Sequence, residues 1–125
     1  MKRLLPLLAL VVAQAASAAT CKISEYSNLV LDANNRQVPV ALEPAITTQS
    51  VTYTTSTSSV AFNDDTRFVR IICDAKAHFV FTTATPTLTN SYPYLPADTA
   101  EYFGIERAPR GTSQTLTVRF YDGSS

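Results

Sequence analysis

Arg67-Phe-Val-Arg-Ile-Ile-Cys73, Asp74-Ala-Lys-Ala77 and His78-Phe-Val-Phe-Thr-Thr83 form the stretch that decides the fold. Both flanking segments are rich in β-branched and aromatic residues, the types that suit a pleated, half-buried surface. In the second, Phe79 and Phe81 share one face while His78, Val80 and Thr82 share the other, the two-residue period of a strand. Asp74 to Ala77 has the length and polarity of a connection in a hairpin, so two antiparallel neighbours are expected.

The same signal recurs on either side. Cys21 to Tyr26 alternates Ile23 and Glu25 against Lys22, Ser24 and Tyr26. Asp32-Ala-Asn-Asn-Arg36 reads as a turn, because Asn and Asp tolerate left-handed backbone and bond locally. Val38 to Pro44 is extended but holds two prolines, which confines it to an edge or a loop. Gln49 to Thr57 reads as one strand with Val51, Tyr53 and Thr55 on one face and Thr52, Thr54 and Ser56 in water. Ser58-Ser59 and Asn63-Asp-Asp65 break the chain around Val60-Ala-Phe62. Ala84 to Pro96 is a Pro- and Thr-rich loop, extended at Tyr92-Pro-Tyr-Leu-Pro96 because a residue before proline is pushed away from helix. Strand is favoured over a helical turn within Asp98 to Ile105, a turn covers Arg107 to Ser113, and Leu116, Val118 and Phe120 point inward from a last strand ending at Tyr121. The expected fold is all-β: a single small β-sandwich or barrel-like domain of seven to eight short antiparallel strands.

The chain opens differently. Lys2 and Arg3, the apolar run Leu4 to Ala13 and the small residues ending in Ala16-Ser17-Ala18 have the three-part form of a cleavable export signal, with cutting before Ala19 or Thr20. About ten apolar residues are roughly half of what a membrane-spanning helix needs, so no retained anchor is expected. The organisation is therefore read as a signal peptide over 1–19 and a β-sandwich over 20–125. An exported domain meets an oxidising environment, and Cys21 and Cys73 are the only cysteines. They are a candidate disulfide; the alternative is two buried thiols packing as small hydrophobes. Cys21 is a poor lipid-attachment site, because lipoprotein signals place Gly or Ala before the cysteine and here it is Thr20.

Charge narrows the partners. Without Lys2 and Arg3, eight basic residues face ten acidic ones, and the basic ones are scattered. Nucleic acid and anionic membranes require a concentrated positive surface, so neither is an expected partner. Catalytic signatures are missing as well. His78 is the only histidine and lies within an apolar strand, where a hydrogen-bonded structural residue is the common case. A nucleophile needs a base and an orienting group, and three glycines (Gly104, Gly111, Gly123) supply neither a nucleophile elbow nor a phosphate-cradling loop. One His with two pairable Cys cannot build a zinc site, and Asp64-Asp65 reads as a turn rather than a calcium loop. No enzyme, metal or cofactor is expected; a small hydrolase would have to rest on His78 or an acid pair. The one surface candidate is Tyr92, Tyr94 and Tyr102, since tyrosines on extended chain offer wide amphipathic contact at low entropic cost.

At Ile23-Ser-Glu-Tyr, Glu43-Pro-Ala, Arg67-Phe-Val-Arg-Ile, Asp74-Ala, His78-Phe-Val-Phe, Leu95-Pro-Ala, Glu101-Tyr-Phe-Gly-Ile and Tyr121-Asp-Gly-Ser-Ser, the chain resembles a group of small all-β phage and prophage virion-associated proteins of head or decoration type. The resemblance covers most of residues 21–125, and its motifs are strands and turns, so it implies a fold and no site residue. It implies a non-catalytic structural protein that meets a protein partner or copies of itself in a repetitive assembly, with exposed edges such as Val38 to Val40 available for pairing. The leader and the cysteine pair depart from that pattern, because capsids assemble in the cytoplasm. If translation starts near Thr20, which requires a non-AUG start, the expected location is the virion. If the leader is used, the location is periplasmic or secreted, and the alternative function is an exported module binding a surface glycan or protein through Tyr92, Tyr94 and Tyr102.

Overall fold

The computed structural model describes residues 17–106 and 108–124. The n-region and h-region of the expected export signal, and Arg107 at the start of the expected turn, lie outside the described residues.

Ten strands and no helix make up the described fold: β1 (Ala19–Tyr26), β2 (Leu29–Leu31), β3 (Gln37–Ala41), β4 (Thr47–Tyr53), β5 (Ser56–Ser58), β6 (Phe68–Cys73), β7 (Ala77–Thr82), β8 (Tyr94–Leu95), β9 (Glu101–Gly104) and β10 (Thr117–Tyr121). They form two four-stranded sheets, ordered β4-β1-β6-β9 and β5-β10-β7-β8, and a two-stranded hairpin β2-β3, with every pair antiparallel. The all-β reading holds. The strand count exceeds seven or eight because β2, β5 and β8 are only two or three residues long, too short to leave a periodic signal.

The two large sheets share one core. Cys21, Ile23, Val51, Tyr53, Val69, Ile71 and Cys73 face it from the first sheet, and Ala77, Phe79, Leu95, Val118 and Phe120 from the second. These residues alternate along their strands with exposed or half-buried ones, as a sheet with one wet face requires. Rings knit the layers: Tyr53 stacks on Phe120 at 6.2 Å between centroids, and Phe103 lies 5.1 Å from Phe79 and 5.3 Å from Phe81.

Two connections differ from the sequence reading. The segment Asp74–Lys76 is not a hairpin turn, since β6 and β7 belong to opposite sheets. Both sides of β6 are already occupied, by β1 and by β9, so the chain has to arch across the core. The expected single strand over Gln49 to Thr57 is two: the chain leaves the first sheet after Tyr53 and enters the second as β5. The Thr52/Val51 alternation is correct, and the change of sheet at Thr54-Thr55 leaves no mark in a run of β-branched and hydroxyl residues.

Candidate functional site

Cys21 and Cys73 sit directly opposite each other on β1 and β6 and are joined by a disulfide. Both are buried in the core, so the bridge fixes the register of the central strand pair and offers nothing to solvent.

Tyr92, Tyr94 and Tyr102 do not form one patch. Tyr94 lies on β8 in the second sheet and Tyr102 on β9 in the first; the chain crosses between them. Tyr94 belongs to a row across the outer face of the second sheet. Register places Tyr121 of β10 opposite His78 of β7, and His78 opposite Tyr94 of β8. The rings follow, with His78 5.2 Å from Tyr121 and 5.8 Å from Tyr94. Lys76 closes the row, its Nζ 4.2 Å from the centroid of the Tyr94 ring, a cation–π placement.

Tyr92 sits just off this row, its ring at 80° to that of Tyr121 with centroids 6.4 Å apart. The backbone around it finishes the enclosure. His78 Nδ1 donates to the Tyr92 carbonyl at 3.2 Å, and a carbonyl can only accept, so this nitrogen carries the proton. The Tyr121 hydroxyl donates to the Thr89 carbonyl. Gly123 passes so close that a Cβ there would lie 2.9 Å from the His78 ring. His78 is thus a structural pillar between the 84–96 loop and the C-terminal strand. Tyr121 is wholly buried although it points away from the main core, and burial raises its phenol above the ordinary tyrosine value. The Asp122 carboxyl is held below the usual range, chiefly by the Ser124 side chain and backbone that donate to it.

Tyr102 belongs to a second feature. Together with Phe68, Phe103 and Gly104 of the first sheet and Leu29 and Pro39 of the β2-β3 hairpin, it lines a groove of about 220 Å³. The hairpin tip is set by Asp32, whose Oδ1 accepts from the backbone N–H of Asn34 at 2.8 Å and of Arg36 at 2.9 Å, with Asn35 left-handed at φ 59°. The turn expected over Asp32 to Arg36 is therefore formed by the Asx geometry that its composition suggests. Its base is tied by Tyr26, whose hydroxyl donates to Glu43 Oε1 at 2.9 Å; burial, then the Glu43 contact, raises that phenol.

One polar residue that sequence reasoning passed over holds the core together. Glu25 is fully buried. Its Oε1 accepts from Gln49 Nε2 at 2.7 Å, and its Oε2 accepts from the Asn63 backbone N–H at 2.7 Å and from Thr66 Oγ1 at 2.6 Å. The signal was present, since Glu25 shares a face with Ile23, but an alternating pattern cannot show that three donors converge there. Asp64 lies in a turn and accepts from the Gln114 backbone N–H at 2.5 Å, a contact between segments fifty residues apart. Among the described residues no three His, Cys, Asp or Glu side chains are grouped to hold a metal ion, and no helix is long and apolar enough to cross a membrane.

Fold and surface together define a small disulfide-bridged antiparallel β-sandwich with a projecting hairpin. No family model, no curated protein and no solved structure matches this chain.

Proposed function

We propose that this protein is a non-catalytic structural component of phage or prophage origin, acting in several copies through its hairpin and sheet edges. The observation that carries the reading is where apolar surface lies. Leu31, Val40 and Leu42 are each about half exposed, at 54%, 55% and 49%, and Ile46 follows them at 38%. All four belong to β2, β3 or the segment leading to β4. Exposed apolar surface gathered around one element in this way marks a protein contact, and among the described residues the two-stranded hairpin pairs with no third strand, which leaves it open to strand addition. His78, one of the residues on which a hydrolase could rest besides an acid pair, is engaged with Tyr92, Tyr121 and the Gly123 backbone.

The Cys21–Cys73 disulfide is a bond that an exported protein would carry, but the tyrosine site of the exported binding module draws less support. Tyr94 and Tyr102 lie on opposite sheets, with Tyr92 in the loop beside Tyr94, and Lys76 occupies the neighbourhood of the Tyr94 ring that a sugar would stack on. The test is quantitative mass spectrometry of the native source, comparing particles with the soluble exported fraction and recording the intact mass. Recovery in particles at a fixed, multi-copy ratio to the main shell protein supports the proposal. Recovery only as free protein outside the cell membrane overturns it in favour of the exported module.

A further inference from the structure

We infer that two copies of this chain pair through β4, edge to edge and antiparallel, joining their first sheets into one continuous eight-stranded sheet. The starting point is how the molecule treats its edges. A free edge presents unpaired N–H and C=O groups, and proteins ordinarily blunt it with brevity, proline or charge. β8 has two residues between Pro93 and Pro96, β5 has three, β3 contains Pro39, and β9 has four and begins with Glu101. β4 has none of these devices. Thr47-Thr-Gln-Ser-Val-Thr-Tyr53 is seven residues long, without proline, glycine or charge. Its backbone bonds to β1 on one side, and among the described residues no backbone bond crosses the other side.

The strand is suited to its own copy. Full overlap of two antiparallel β4 strands puts Ser50 on the two-fold axis, Thr48 opposite Thr52 and Gln49 opposite Val51. On the outer face every pair then joins small hydroxyl residues, which bond across strands, and no like charges meet. A two-fold contact sets each surface against itself, so any charge on the paired edge would repel its own copy; β4 carries none, and Lys22, opposite Ser50, lies one strand further from the axis.

Apolar surface flanks the edge. Val60, the most exposed large hydrophobic among the described residues at 71%, is held beside β4 by Gln49, whose Oε1 accepts from the Val60 N–H at 3.1 Å. Strand pairing alone falls short of the roughly 1,200 Å² that stable interfaces bury, and Val60 extends it on the side of the sandwich where β4 passes into β5. The inference rests on the self-assembly reading above and names its surface and partner.

The experiment is sedimentation of the disulfide-intact protein from micromolar to millimolar concentration, for the wild type, Ser50→Lys, Ser50→Glu and an equimolar mixture of the two variants. Ser50 is exposed, and circular dichroism checks that each variant is folded. The expected result is a wild-type dimer, monomers for each variant alone, and a dimer restored in the mixture, where Lys meets Glu across the axis. A wild type monomeric throughout overturns the inference together with self-association. A dimer that survives Ser50→Lys overturns only β4 and leaves another surface as the contact. A mixture that stays monomeric overturns the two-fold register.

Discussion

Three tyrosines carry the molecule's polar chemistry at the level of single residues. Tyr26, Tyr53 and Tyr121 are all buried, and burial is the leading cause that raises each phenol above its ordinary value of about 10. For Tyr53 the nearby carboxylates of Asp74 and Asp122 add to the effect, and its hydroxyl has no hydrogen-bond partner among the described residues. A neutral phenol favoured by the fold has a definite sign in linkage. The unfolded chain ionises first, so the stability these groups contribute is fully present below about pH 10 and is lost as pH rises beyond it. Alkaline titration followed by phenolate absorbance and far-ultraviolet circular dichroism should therefore show Tyr26, Tyr53 and Tyr121 ionising together with cooperative unfolding. Ionisation of all three with the dichroism unchanged would show that they are not enclosed as described.

At the scale of elements, the last strand and the residues after it form a clamp. Tyr121 anchors the 84–96 loop through Thr89, and Gly123, with φ +90°, lies against the His78 ring. A side chain at Gly123 meets both a backbone region that L-residues avoid and a contact closer than van der Waals distance. Gly123→Ala should cost roughly 1–3 kcal/mol in urea unfolding. Gly104→Ala, where nothing lies within 4 Å of the added Cβ, should change stability by less than about 0.5 kcal/mol. Equal effects at the two sites would mean that the C-terminal segment does not pack on His78. This clamp also marks the limit of what the sequence discloses. Alternation shows that Phe79 and Phe120 point inward, and both do. It cannot show which sheet a strand joins, because β6 and β7 have the same pattern whether Asp74–Lys76 turns back or arches over. For the same reason Tyr92 and Tyr94 come together, being two residues apart on extended chain, while Tyr102 is carried away by a crossing between Leu95 and Glu101. Tyr121 escapes the pattern altogether: its position reads as solvent-facing, and a loop more than twenty residues away in sequence buries it.

For the whole molecule, the Cys21–Cys73 bridge sets how the two sheets share the task of stability. It lies at the centre of the first sheet and closes a loop with a sequence separation of 52. That loop contains the hairpin, β4 and β5, so in the unfolded chain the bridge restrains strands of both sheets. In the chain-entropy view a loop of this size is worth roughly 4 kcal/mol. The second sheet has no covalent tie of its own and relies on packing against the first through Phe79, Val118 and Phe120. Losing the bridge should therefore not release one sheet alone; unfolding should stay a single transition at lower temperature. At about 4 °C for each kcal/mol in a domain of about 100 residues, the melting temperature should fall by roughly 16 °C. Because both half-cystines are almost completely buried, reductant alone should leave the native bridge intact for long periods. Protein reduced in denaturant, alkylated at neither site and refolded with reductant present, is the form to compare with the oxidised one by calorimetry. Coincident melting curves would show that strand pairing between β1 and β6 suffices without the bridge. A second, separate transition in the reduced form would show that the sheets are not one cooperative unit.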